Sequence, residues 1–186
     1  VVTIARAAGS LTIPAQFALV AAMNPCPCGN WGSAHAECVC SPYQVIKYQR
    51  KVSGPLLDRI DIQINVPRET ISGRQEKNTL EDLEKIRNSI VSARKTQENR
   101  LRDLGFLTNS QIDFRYVDRL CRLDPPTEQL LAQVNQAKNL SLRACHKIKK
   151  LARTIADLAQ SETMRQEHLA EAISMRVNEQ MFAEFS

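Results

Sequence analysis

Ile60-Asp61-Ile62-Gln63-Ile64-Asn65-Val66-Pro67 is the stretch at which the chain changes character. β-branched apolar residues alternate there with polar ones at a period of two, the pattern of a strand with one buried face, and Pro67 stops the ladder. Upstream lie other short apolar runs, residues 1–4 and 17–23, separated by Gly9-Ser10, Pro14, Pro25, Pro27, Gly29 and Gly32. Breakers at that density bound strands rather than long helices. Downstream, residues 69–78 are polar, contain Gly73 and read as a linker. From Thr79, which with Asp82 resembles a helix N-terminus, Leu80, Leu83, Ile86, Ile90 and Ala93 follow helical spacing. Asn109-Ser110 is expected to cap a short helix through Val117 and Leu120, and Pro125-Pro126 to open another through Leu130, Leu131 and Val134. Ser141 begins a helix with Ile148, Leu151, Ile155 and Leu158 on one face, and Met164 or Arg165 a last one with Leu169, Ala172, Ile173 and Val177. The expected architecture is α/β followed by all-α: the end of an α/β core over residues 1–68, then five helices over residues 79–186.

Composition narrows the class. The chain has 186 residues, 43% hydrophobic and 24% charged, the range of ordinary soluble globular proteins. No apolar run approaches the roughly 18–20 residues that span a bilayer. A net charge of +5 and a pI near 9.0 tilt toward an anionic partner, although the excess is spread along the chain. The start, Val1-Val2-Thr3-Ile4-Ala5-Arg6, has neither an initiator Met nor a signal-peptide layout and reads as a strand, as expected of a piece of a longer chain. Six cysteines without a secretory signal argue against a disulfide framework and for a cytoplasmic protein. Cys121 and Cys145 stand alone in helical patterns, where cysteine serves as a small hydrophobe.

Three places carry chemistry. Leu19-Val20-Ala21-Ala22-Met23-Asn24-Pro25 is an apolar run ending at an amide. Ligands of open α/β sheets bind beyond the carboxyl ends of strands, where Asn24 would face one; Asn-Pro is equally the start of an ordinary turn. In Ser53-Gly54-Pro55-Leu56-Leu57-Asp58-Arg59-Ile60-Asp61, Arg59 sits where a helical turn hands over to a strand, and its fork suits phosphate oxygens. The plain alternative is an Asp-Arg pair that staples the turn. Arg143 lies in the first turn of the helix begun by Ser141, where a cation opposes the helix dipole; it answers either to a nearby anion or only to solvent.

In this order, strand-Asn-Pro, then Gly-Pro-Leu-Leu-Asp-Arg-Ile-Asp, then Ser-Leu-Arg near Ala-Arg-Thr-Ile-Ala-Asp-Leu, the chain resembles the magnesium-chelatase-like AAA+ ATPases of the ComM/YifB type, from Val2 to about Arg176. Val20-Ala21-Ala22-Met23-Asn24-Pro25-Cys26-Pro27-Cys28-Gly29 and Ala152-Arg153-Thr154-Ile155-Ala156-Asp157-Leu158 are its longest matching blocks. The resemblance implies that Asn24 is the sensor-1 residue placing the attacking water. It implies that Arg59 is an arginine finger reaching ATP on a neighbouring subunit, and Arg143 the sensor-2 residue of a helical lid. It further implies ATP and Mg²⁺ as cofactors and a hexameric ring, and phosphoryl transfer does rest on positioning and charge neutralisation. The sequence contains no G-x-x-x-x-G-K-[ST] phosphate loop and no Walker B strand, so this chain alone is expected neither to bind nor to hydrolyse ATP.

Cys26-Pro-Cys28 and Cys38-Val-Cys40 are two C-x-C pairs around a Gly-rich loop, and four thiolates at this separation can surround a tetrahedral Zn²⁺. The commoner spacing is C-x₂₋₄-C, His35 is an alternative ligand, and four reduced thiols without metal are the plain alternative. By the same resemblance, residues 1–17 correspond to a hairpin that related helicases point into the ring pore. Arg6, with Ser10 and Thr12 at the turn, would then contact DNA phosphates, joined by Lys47, Arg50 and Lys51. A hairpin that only packs on the core is the other reading. Aromatics make up 5% of the chain, too few for binding dominated by base stacking. The favoured function is a DNA branch-migration motor or helicase. The alternatives are a chelatase-type motor remodelling a protein partner and a non-enzymatic, zinc-stabilised interaction module.

Overall fold

A computed structural model of the chain describes residues 1–7, 9–15, 17–66 and 80–176. The expected linker, the Thr79 cap and Val177 lie outside these residues. The chain divides into two compact units, Val1–Tyr48 and Gln49–Ser186.

The first unit is built on turns. Strands β1 (Val2–Arg6) and β2 (Gly9–Ile13) pair antiparallel, Val2 opposite Ile13 and Arg6 opposite Gly9, and Thr3 Oγ1 lies 3.0 Å from Thr12 Oγ1. Residues 17–23, expected as a strand, are irregular, and Val20 is 94% exposed. A strand exists only through a neighbour that takes its backbone hydrogen bonds, and no described residue pairs with this run. Helix α1 (Pro42–Gln49) follows the cysteine-rich loop. Its start is a reciprocal cap, in which the Ser41 N–H donates to Gln44 Oε1 at 2.9 Å and the Gln44 N–H to Ser41 Oγ at 3.4 Å.

The second unit is helical. Short α2 (Gly54–Arg59) is capped by Ser53. The five helices expected after Pro67 are α3 (Leu80–Leu101), α4 (Phe114–Leu120), α5 (Pro125–Lys138), α6 (Leu142–Leu158) and α7 (Gln166–Ser174). Ser141 caps α6 by accepting from the Ala144 N–H at 3.1 Å, and Asp124 caps α5 from the Thr127 N–H at 2.9 Å. Helix α6 is the axis of the core: Ile148, Ala152, Ile155 and Ala156 pack with Leu101, Ile112, Val117, Leu131, Leu169 and Ala172 from α3, α4, α5, α7 and the loop before α4. Along α3 only Ala93, Gln97 and Leu101 are buried; Leu80, Leu83, Ile86 and Ile90, the expected apolar stripe, are exposed.

Two expectations are corrected here. Asn109 does not cap α4: Asp113 does, accepting from the Arg115 N–H, while residues Asn109–Gln111 form a 3₁₀ turn that turns the Asn109 side chain inward. The alternating stretch, residues 60–66, is not a strand. It lies instead against α6 and α7: the Ile60 N–H closes α2 on Leu56 O and Leu57 O, and the Gln63 N–H donates to Met175 O at 2.6 Å. Arg176 donates to Ile60 O at 2.6 Å, to Asp58 O at 2.8 Å and to Asp58 Oδ1 at 3.2 Å, and Lys147 Nζ lies 2.8 Å from Asp61 Oδ1. Among the described residues the sheet is therefore a single hairpin, and the fold is mostly helical. No helix of the described residues is long and apolar enough to cross a membrane.

The Arg176 clamp has a measurable consequence. Hydrogen bonds from a charged donor contribute about 1.5–3 kcal/mol each, so Arg176→Met is expected to release the segment after α2. Limited trypsin digestion should then cleave after Arg59 faster than in the unaltered chain; equal rates would show that the clamp holds nothing in place.

Candidate functional site

The first unit gathers Asn24 with the cysteines. Cys26 Sγ lies 3.4 Å from Cys28 Sγ and 3.7 Å from Cys38 Sγ, Cys28 Sγ lies 3.6 Å from Cys38 Sγ, and Cys40 completes a group whose four sulfurs fall within 4.8 Å of one another. All six cysteines are free thiols. Local sequence makes this possible. The Gly29 N–H closes a turn on Cys26 O at 3.1 Å, and Gly29 and Gly32 have φ of +80° and +73°, which favour glycine. The capped start of α1 fixes the chain directly after Cys40. A Cβ on Gly29 would lie 3.8 Å from Asn24 Nδ2, so the exposed Asn24 amide rests on the cysteine turn. His35 is exposed and lies outside the sulfur group.

The thiols perturb one another. The Asn30 N–H favours the Cys28 thiolate and brings that group down to about 6. The Cys40 N–H does the same for Cys38, but burial and the neighbouring sulfurs of Cys28 and Cys26 outweigh it and push Cys38 up to about 12. One negative charge in the group thus opposes the next, as like charges at contact distance do.

Arg59 and Arg143 both belong to the second unit. Arg59 ends α2, exposed, with Nη1 donating to Pro55 O of its own helix at 2.7 Å, so its guanidinium is not paired with Asp58. Asp58 is held by Arg176 instead, and the Arg59 carbonyl accepts from Lys147 Nζ. Arg143 is exposed in the first turn of α6, one turn before Lys147 and on the same side of the helix. The Lys147 bonds thus bring the Arg59 backbone to the face of α6 that carries Arg143.

Arg6 is the last residue of β1, opposite Gly9, on the hairpin face of Val2, Ile4, Leu11 and Ile13. Ser10 and Thr12 pair with Ala5 and Thr3 on the other face, so the expected trio at the turn does not form; directly opposed residues share a face and adjacent pairs alternate.

Sequence reasoning did not anticipate a second constellation. The Asp157 carboxylate, fully buried, receives both ends of the Arg100 guanidinium at 2.8 Å each, Asn109 Nδ2 at 2.8 Å and Arg153 Nε at 3.0 Å. Arg153 also donates to Ser161 O at 2.6 Å and Glu162 O at 2.8 Å, which ties down the loop after α6. The block Ala152–Leu158 is therefore a structural keystone. Its signal in the sequence is an Arg and an Asp four residues apart inside the apolar stripe of a helix.

An apolar run ending in Asn24-Pro25, an exposed arginine at the end of a short helix and an arginine at the start of a core helix suggest a class, which comparison with known proteins resolves. Residues 1–74 match the family described as magnesium chelatase, subunit ChlI, and residues 80–176 match its C-terminal domain, which alone covers more than half of the chain. The chain belongs to the magnesium chelatase family, in its ComM/YifB-like part. It is 35% identical over 176 residues to competence protein ComM of Haemophilus influenzae, covering 94% of this chain and 33% of that protein. It is 34% identical over 175 residues to the uncharacterized protein YifB of Escherichia coli, covering 93% of this chain and 33% of that protein. An uncharacterized protein of Mycobacterium tuberculosis is 30% identical over 178 residues, covering 94% of this chain and 34% of its own length. The chain thus spans about a third of the length of the curated relatives it matches.

Proposed function

We propose that this chain is the sensor and arginine-finger part of a ring-forming, ATP-driven motor that acts on DNA, promoting branch migration as a ComM-like protein in natural transformation. The observation that carries the reading is Arg59. Its backbone is clamped from both sides, by Lys147 at its own carbonyl and by Arg176 at Asp58 and Ile60, while its guanidinium remains exposed at a helix end. A fixed backbone carrying an exposed guanidinium, tied in this structure to Pro55 O of its own helix, suits a cation acting on a neighbour's phosphate, because positioning and charge are most of what phosphoryl transfer asks of a protein.

In this reading Asn24 orients the attacking water and Arg143 reports nucleotide to the helical unit. ATP and Mg²⁺ are bound by a phosphate loop and acidic strand that this sequence does not contain. The exposed apolar run 17–23 supports the reading, since it has the composition of a central strand in a larger sheet. Arg6 contributes a phosphate contact near the hairpin turn, in keeping with the net charge of +5.

The test is the ATPase rate of a full-length protein containing this chain, measured with branched DNA, linear DNA and no DNA. Stimulation by branched DNA is expected. DNA-independent turnover would replace this reading with a chelatase-type motor remodelling a protein partner, which the family membership also supports. A full-length protein without a phosphate loop would make it an interaction module. The 186-residue chain alone is expected to show no ATPase activity above the buffer rate in a phosphate-release assay.

A further inference from the structure

We infer that Cys26, Cys28, Cys38 and Cys40 form a structural zinc site, and that the turn it closes holds Asn24 in position. Four sulfurs on a tetrahedron about 2.3 Å from a central ion stand about 3.8 Å apart. The separations among Cys26, Cys28 and Cys38, 3.4, 3.7 and 3.6 Å, fall just inside that edge length, and the Cys40 sulfur lies within 4.8 Å of the others. A four-sulfur tetrahedral set with neither carboxylate nor imidazole selects a soft ion of the zinc type.

The surroundings fit a structural site. Backbone N–H groups of Asn30 and Val39 point at Cys28 Sγ, and that of Cys40 at Cys38, the outer hydrogen bonds that orient thiolate ligands. The group is closed, with all four positions supplied by the protein, which leaves no open position for catalysis.

The first unit also needs such a site. Among the described residues, Cys26 and Val45 are its only buried hydrophobic residues, whereas Val2, Ile4, Leu11, Ile13, Phe17 and Leu19 are exposed. A unit this small, without an apolar core, gains its order from elsewhere, and metal ligation makes binding energy into folding energy. Cys26 and Cys28 lie two and four residues after Asn24, and the Asn24 amide sits where a Cβ on Gly29 of the same turn would meet it at 3.8 Å. An ion that fixes the turn therefore fixes the amide. This site is independent of the nucleotide chemistry proposed above and stands or falls separately.

The experiment is metal analysis of the 186-residue chain purified anaerobically without chelators. One zinc per chain is expected, retained in Cys145→Ser and lost in the Cys28→Ser/Cys38→Ser double variant. Because that variant can fail to fold, the unaltered chain is also stripped and titrated with Co²⁺. The intense visible bands of tetrahedral cobalt–thiolate should saturate at one equivalent. Amide NMR of the same titration with Zn²⁺ should move the Gly29 N–H and the Asn24 side-chain signals while those of α6 stay. Absence of zinc together with no cobalt–thiolate spectrum, iron in place of zinc, or undiminished zinc in the double variant would overturn the site. Zinc binding without movement at Asn24 would overturn the positioning role.

Discussion

Asp157→Ala is expected to destabilise the helical unit by about 3–5 kcal/mol, the cost of leaving buried cations without their counter-ion. Arg153 keeps only 6% of its side chain exposed and Arg100 25%, so neither can recover its hydration without moving the loop after α6 or the end of α3. With a urea slope of about 2 kcal/mol/M, the midpoint should fall by roughly 1.5–2.5 M. Asp157→Asn keeps the shape and one acceptor and should fall between the two. A loss below about 1 kcal/mol for the alanine variant would mean that the network is relaxed or hydrated in solution.

The same carboxylate sets an acid limit. Burial alone would raise Asp157, but the hydrogen bonds from Arg100 and Asn109 and the charge of Arg153 overcome it and hold the group below the usual carboxylate range. Its folded pKa is thus depressed from an unfolded value near ~3.9. Its contribution is fully present above that value and is lost as pH falls through the folded pKa. The gap in stability between the unaltered chain and Asp157→Asn should therefore be constant from about pH 5 upward and close below about pH 4.

In a full-length protein containing this chain, Arg59→Ala is expected to lower the ATPase rate by about 10³-fold or more, the range found for arginine fingers. Arg59→Lys should not restore it, because a point charge cannot reproduce the planar fork. Mixing supplies the decisive arm. Subunits carrying Arg59→Ala, combined with subunits whose phosphate loop is disabled, should regain part of the rate, since each supplies what the other lacks across the interface. A reduction of less than about tenfold, or no recovery on mixing, would assign Arg59 to holding its own turn through Pro55 O.

The helices were legible because each announces itself locally. Ser141 and Asp124 accept from N–H groups three residues on, Pro125-Pro126 opens α5, and the apolar stripe of α6 recurs at helical spacing. Asn109 misled for the same reason. Its local preference is to cap, but a carboxylate 48 residues away offers it a buried partner at 2.8 Å. The alternation in residues 60–66 misled differently. A period of two describes side chains, whereas a strand also requires neighbours for its backbone, and Arg176, more than a hundred residues on, took the Ile60 carbonyl.

The sequence by itself determined the family, the five helices after Pro67, the four clustered cysteines and the absence of a phosphate loop from this chain, all of which depend on residues near one another or on the presence of a motif. Only the tertiary structure decided that the four cysteine sulfurs gather within 4.8 Å of one another. It alone showed that Arg6 and Ser10 lie on opposite hairpin faces, and that Asp58 pairs with Arg176 while the exposed Arg59 guanidinium donates to Pro55 O of its own helix. Those facts depend on register and on partners distant in the chain, where small differences in geometry decide which of several equally suitable side chains a buried or clamped group finds.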